Sequence, residues 1–170
     1  MHKSEQKTVL LRILFVAGSV FSFAILLLVD QFSKYWAVTH LKNQPPLRFL
    51  NDWLELYYLE NHGAAWGILT GKTIFLIVVT AIVLLVLFVI YFRLPIIKQH
   101  RLMRAALMLI ASGAVGNLLD RILHQYVIDF IYVKVIDFPV FNVADIYVTI
   151  GAFLFAVIVL FTKEEAENGE

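Results

Sequence analysis

Cysteine is absent from this chain. That removes disulfides, thiol nucleophiles, iron–sulfur clusters and thiolate zinc sites together. The five histidines (His2, His40, His62, His100 and His124) are scattered, with no H-E-x-x-H or other ligand spacing, so neither a metal nor another cofactor is expected. Charge is scarce: Asp, Glu, Lys and Arg make up 16% of 170 residues against 61% hydrophobic residues, and the mean hydropathy is +0.80. Soluble domains are about a quarter charged, so the chain reads as a membrane protein. A formal net charge of +1 leaves no basic footprint for a nucleic-acid partner. No Gly-rich phosphate loop is present either.

What the chain does have is long apolar runs. A bilayer core of about 30 Å requires roughly 20 apolar residues in a helix. Candidate stretches are Ile13–Val29, Thr73–Phe92, Ala105–Leu119 extended to Leu123, and Ile146–Thr162. They give one membrane-embedded domain over 1–170 with spans at about 13–33, 73–92, 105–123 and 145–162. Lys3, Lys7 and Arg12 precede the first span as in a signal peptide, but Val29-Asp30-Gln31-Phe32 offers no small-residue cleavage site, so an uncleaved helix is expected. Eight basic residues (Lys3, Lys7, Arg12, Arg93, Lys98, Arg101, Arg104 and Lys163) fall on one side and six (Lys34, Lys42, Arg48, Lys72, Arg121 and Lys134) on the other. The excess places both termini in the cytoplasm.

The segment at about 40–70 is too polar to span. Pro45-Pro46 breaks it, and Leu47–Leu50 and Trp53–Leu59 read as short strands around a turn at Asn51-Asp52. Trp53, Tyr57, Tyr58 and Trp66 suit the membrane interface. The fold class expected is a mainly α membrane protein of four transmembrane helices, with a small extracytoplasmic β-sheet between the first and second.

Ser33-Lys34 is a tempting hydroxyl–amine pair, but neighbours on a helix point about 100° apart and do not face each other. Carboxylates remain. Asp129 follows the third helix and Asp145 opens the fourth, at similar membrane depth. Two carboxyls close together in a dry site share a proton, one serving as base toward water and the other as acid toward a carbonyl or leaving amine. The plainer alternative is that Asp145 is an N-cap and Asp129 an exposed loop acid. Spacing alone leaves both open.

Five motifs in order resemble the bacterial lipoprotein signal peptidases, the signal peptidase II family of intramembrane aspartyl proteases. They are Asp30-Gln31-Phe32-Ser33-Lys34; Glu60-Asn61-His62-Gly63-Ala64-Ala65-Trp66; Gly113-Ala114-Val115-Gly116-Asn117-Leu118-Leu119-Asp120-Arg121; Val127-Ile128-Asp129-Phe130; and Phe141-Asn142-Val143-Ala144-Asp145. The resemblance implies an endopeptidase that removes the signal peptide from diacylglyceryl-modified prolipoproteins, cutting before the lipidated cysteine. It makes Asp129 and Asp145 the catalytic pair. Asn61, Gly63, Asn117, Arg121 and Asn142 are implied to bind substrate, with Asn142 also holding the pair, and Asp30, Lys34 and Asp120 to be structural. An Asp120–Arg121 charge network at the membrane edge is expected. The partners implied are lipid-modified prolipoprotein, membrane lipids and globomycin-like inhibitors, acting on a monomer in the bacterial cytoplasmic (inner) membrane with the site at its extracytoplasmic face. Ser112 stands where many members carry Gly, a small-for-small exchange. Val135-Ile136-Asp137-Phe138 repeats the V-x-D-F pattern, and Asp129 is preferred because it follows Asp120-Arg121 at the family's spacing.

Two other classes compete. A proton-coupled carrier also uses membrane carboxylates, but here the acids cluster on one side, with none at mid-membrane. A non-catalytic assembly subunit would use small residues such as Gly113 and Gly116 for helix contacts.

Overall fold

Charge does not end the first helix. Asp30 and Lys34 lie one turn apart on the same face and pair at 3.1 Å with both side chains almost fully buried. The helix α1 therefore continues past the apolar stretch and spans Lys3–His40. The structure, a computed structural model, describes residues 3–50, 53–64, 68–97 and 100–167. After α1 come β1 (Leu47–Phe49), β2 (Leu54–Asn61), α2 (Thr73–Arg93), α3 (Arg101–His124), β3 (Val127–Val133), a 3-10 turn at Lys134–Ile136 and α4 (Val143–Glu167). Four helical stretches among the described residues are long and apolar enough to cross a membrane: Val9–His40, Thr73–Arg93, Arg101–His124 and Val143–Phe161. The chain is a multi-pass membrane protein.

The helices are not equivalent. α2 buries no residue within the protein and presents its apolar surface to lipid. α3 is the central helix, burying Ser112, Gly113, Gly116 and Asp120 among others. Without a hydrophobic drive in lipid, helices associate through close packing at small residues. A Cβ on Gly113 would run into the Ala144 carbonyl and Val148, and one on Gly151 would lie 2.7 Å from the Ala106 carbonyl. These glycines let α3 and α4 approach backbone to backbone.

The sheet is antiparallel in the order β1-β2-β3. Its first two strands match the sequence expectation, whereas the third corrects it, because the sheet is not confined to the segment between α1 and α2. Gln125 adopts a left-handed conformation (φ 67°) that closes α3 and turns the chain into β3. There Leu59 pairs with Asp129 and Asn61 with Val127. Ile128 and Phe130 of β3 pack on Ala37 and Leu41 at the end of α1, seating the sheet on the helices. The expected turn at Asn51-Asp52 and the interfacial Trp66 lie outside the described residues. Trp53 is exposed, as suits a ring at the membrane surface.

Candidate active site

Ionisable groups taken out of water need partners, and one end of the helix bundle supplies them densely. Asp129 stands on β3 and is 2% exposed. Asp145 stands in the first turn of α4. Asn142, fully buried, joins them. Its Oδ1 accepts the Asp145 N–H at 3.0 Å, and Asp145 Oδ2 accepts the Asn142 N–H at 3.1 Å. That reciprocal pair is a capping box with Asn at the N-cap and Asp three residues on. The other end of the same amide, Nδ2, donates to Asp129 Oδ1 at 2.7 Å. One side chain thus caps α4, orients Asp145 and holds Asp129.

The remaining carboxylate oxygens are also engaged. Asn61 Nδ2 donates to Asp129 Oδ2 at 2.8 Å, and Asn117 Nδ2 donates to Asp145 Oδ1 at 2.8 Å. Asn61 is fixed in turn by the Gly63 N–H on its Oδ1 at 2.9 Å. Asn117 is fixed by Lys34 Nζ on its Oδ1 at 2.9 Å. Burial, and next the charge of Asp145, push the Asp129 carboxyl up to about 7, against the donors Asn61 and Asn142 and the charge of Lys34. A carboxyl there exchanges its proton near neutral pH, as an acid–base catalyst must.

Behind the pair lies a buried ion cluster. Lys34 bridges Asp30 at 3.1 Å and Asp120 at 2.9 Å. Asp30 Oδ1 accepts the Ala144 N–H at 2.9 Å, and Asp120 Oδ2 accepts the Ile128 N–H at 3.1 Å. The cluster therefore ties α1 and α3 to the start of α4 and to β3, the two segments that carry the aspartates. Gly116 leaves room for it, since a Cβ there would collide with the Asp30 carboxyl. Arg121 does not join the cluster: Asp120 pairs with Lys34, and Arg121 Nη2 donates to the Gly63 carbonyl at 3.1 Å. Consecutive helical residues point to different faces, which separates their roles. Gln31, which stands in the first motif without an implied role, donates to Asp30 Oδ2 at 3.0 Å.

A cavity of about 490 Å³ opens onto the pair. Asp129, Asp145, Asn61, Asn117 and Arg121 form its polar part, and Val127, Phe141, Ile146, Val148 and Ile150 its apolar part. Two carboxyls and an apolar wall thus border one cavity. Asp137 does not line it; that residue is exposed, takes a left-handed conformation (φ 47°) and accepts the Tyr132 hydroxyl at 2.6 Å. Ser33 and Lys34 are likewise separate, Ser33 Oγ donating to the Asp30 carbonyl at 2.7 Å. Among the described residues, no three His, Cys, Asp or Glu side chains come together to hold a metal.

Sequence signals for some of this existed. Asn142-x-x-Asp145 ahead of an apolar run is a capping pattern, and it makes Asn142 rather than Asp145 the N-cap. The Lys34–Asp120 pair joins distant positions and leaves no spacing signal.

Comparison with known proteins bears on the chain as a whole. The family model for signal peptidase (SPase) II matches residues 22–161. The lipoprotein signal peptidase of Clostridium acetobutylicum is 38% identical over 152 residues, covering 86% of this chain and 96% of that protein. The lipoprotein signal peptidase of Streptococcus pyogenes serotype M5 is 39% identical over 149 residues, covering 88% and 96%. A bacterial membrane enzyme solved by the in meso method at 2.3 Å resolution superposes with a TM-score of 0.74 at 35% identity, covering 90% of this chain and 92% of that one. Buried aspartates held at one end of a four-helix membrane bundle, together with these matches, identify the chain as a member of the signal peptidase II family of aspartic endopeptidases.

Proposed function

We propose that this enzyme removes the signal peptide from prolipoproteins, hydrolysing the bond immediately before a diacylglyceryl-modified cysteine with Asp129, Asp145 and one water. The observation that carries the reading is the Asn142 side chain, which fixes both carboxyls at once beside one cavity. A shared proton makes one carboxyl a base and the other an acid. The base takes a proton from water as its oxygen adds to the scissile carbonyl, and the acid protonates the carbonyl oxygen. Collapse of the tetrahedral intermediate passes a proton to the departing nitrogen and breaks the C–N bond. The products are a signal peptide with a free carboxylate and a lipidated cysteine with a free α-amine.

Substrate handling falls to the groups around the pair. Arg121, already on the Gly63 carbonyl, has further N–H donors for a substrate backbone. Asn61 and Asn117 can exchange part of their hydrogen bonding for substrate carbonyls without leaving the carboxylates. The apolar wall suits a signal-peptide side chain, and two acyl chains at about 0.8 kcal/mol per buried CH₂ hold the scissile bond at the membrane edge. The excess of basic residues at the opposite end supports cytoplasmic termini and a site at the extracytoplasmic face of the bacterial inner membrane. A globomycin-like peptide with a hydroxyl between the carboxyls would replace the catalytic water, and one chain suffices for the whole site, as a monomer.

The direct test uses purified protein in detergent with one prolipoprotein, lipidated or not, the cut site being read by mass spectrometry. Cleavage before the modified cysteine is expected, at least about a hundredfold faster with lipid, which requires only about 2.7 kcal/mol of transition-state binding. Equal rates on the two substrates would remove lipid recognition from the mechanism, and a cut elsewhere would refute the assignment.

A further inference from the structure

The opposite end of the bundle carries a second polar site that the peptidase reaction does not use. α3 begins at Arg101 with no side chain capping its first turn. Four N–H groups are left without intrahelical partners at such a terminus, where the helix dipole favours an anion. Arg104, one turn on, is 6% exposed and stacks over the Phe15 ring at 4.7 Å. Its Nη2 holds the Leu94 and Pro95 carbonyls at 2.7 Å each, while its Nε is buried with no hydrogen-bond partner among the described groups. Arg101 and Arg104 both line a cavity of about 500 Å³, which Gly18, Ser22 and Ile97 also border. Arg12 stands at an adjoining cavity that Arg104 shares. No carboxylate is among the described residues lining either cavity.

Beneath this basic site lies an apolar one. A cavity of about 360 Å³ runs between α1, α2 and α3, bordered by Phe23, Leu84, Phe88, Ala111 and Val115. The two cavities meet at Ser19, Tyr91 and Met108, where Ser19 Oγ and the Tyr91 hydroxyl are 2.7 Å apart. Numbering along the helices fixes the direction. The basic cavity is at the membrane edge and the apolar one lies deeper, towards the dyad end. Arg104 and Asp120 are ~24 Å apart along α3 at 1.5 Å per residue. A cationic pocket at the membrane edge, sharing three lining residues with an apolar slot beneath, matches a phosphodiester headgroup with its acyl chain. An inorganic anion would leave the slot empty, and a zwitterionic lipid would bring its own cation to the arginines.

We propose that this end of the bundle binds an anionic phospholipid, with its phosphate at Arg101 and Arg104 and an acyl chain in the slot between α1, α2 and α3. The proposal is independent of the aspartate pair. Gly18 supplies a test, because a Cβ there meets nothing within 4 Å and the residue borders the basic cavity; Gly18→Leu puts an apolar side chain at that border. Arg101 is exposed, so Arg101→Gln removes charge and leaves the carbonyl contacts of Arg104 in place.

The experiment measures thermal unfolding of the full chain in detergent against dioleoylphosphatidylglycerol, dioleoylphosphatidylcholine and inorganic phosphate. Only the anionic lipid should raise Tm saturably, and both variants should weaken its apparent affinity at least tenfold. Signal-peptide removal in lipid-free detergent should stay at the parent rate. Equal stabilisation by the zwitterionic lipid would overturn the charge argument, and equal stabilisation by inorganic phosphate would overturn the acyl slot. A shift that survives in Gly18→Leu and Arg101→Gln would put the lipid elsewhere, the dyad cavity included, and overturn the site. If Gly18→Leu does not fold, Arg101→Gln alone decides the location.

Discussion

Replacing Lys34 by Met removes the cation that bridges Asp30, 0% exposed, and Asp120, 2% exposed. What stays behind is two carboxylates with backbone donors from Ala144 and Ile128 and the Gln31 amide. Those dipoles orient the groups but do not balance their charge. Removing one partner of a buried ion pair costs about 3–5 kcal/mol. At roughly 2–4 °C per kcal/mol for a chain of this size, Tm should fall by ~6–20 °C. Thermal unfolding in detergent micelles, followed by circular dichroism, measures it. The paired variant Lys34→Met with Asp30→Asn should lose less than the two single losses added, by at least about 1 kcal/mol, because the groups share one network. Lys34 also holds Asn117, so turnover should fall with stability. A Tm loss below about 3 °C, or strict additivity, would refute the view that this cluster holds the helices together.

Other expectations follow from named contacts. Burial keeps Asp129 at about 7 in the folded protein, against about 4 in an unfolded chain. The folded state then binds the extra proton, and stability falls as pH rises from about 4 to about 7. Asp129→Asn should erase that dependence, its Tm rising relative to the parent's across this window and levelling above it; a difference flat with pH would contradict a buried carboxyl. Gly116→Ala places a Cβ against the Asp30 carboxyl and should destabilise by about 1–3 kcal/mol through overpacking, visible in the same melts. Asp137→Asn should keep most of the parent turnover, since that side chain is exposed and bonded to Tyr132; inactivation would make Asp137 the first aspartate of the pair.

The four helices were legible because apolar runs of span length admit few other readings. Their ends were less so. Asp30 and Lys34 looked like the edge of a span, yet as an i, i+4 pair they continue α1 into the protein's interior. β1 and β2 were marked by Pro45-Pro46 and by a polar stretch between two spans. β3 was not, because Val127–Val133 is a short apolar run directly after a helix, which periodicity cannot tell from the helix itself. That strand decides the environment of Asp129: in a loop the acid would be solvated, whereas beside β2 it is buried and bonded to Asn61. The site residues are legible as members of their motifs. Their division of labour, with Asn142 as cap and clamp and Lys34 as hub, depends on contacts between distant segments and required the fold.

If Asp129 and Asp145 act as one catalytic unit, amide replacement of either one should remove the function of both. Asn keeps the shape of the side chain but can neither share a proton nor serve as a base. Asp129→Asn and Asp145→Asn should each lower kcat/KM on a diacylglyceryl-modified prolipoprotein by about 10⁴-fold or more, and the double variant should be little worse than either, as for residues that work together. Both proteins should still insert and run as folded species in detergent. Near-parent turnover in either single variant, or losses that multiply in the double variant, would contradict the pair.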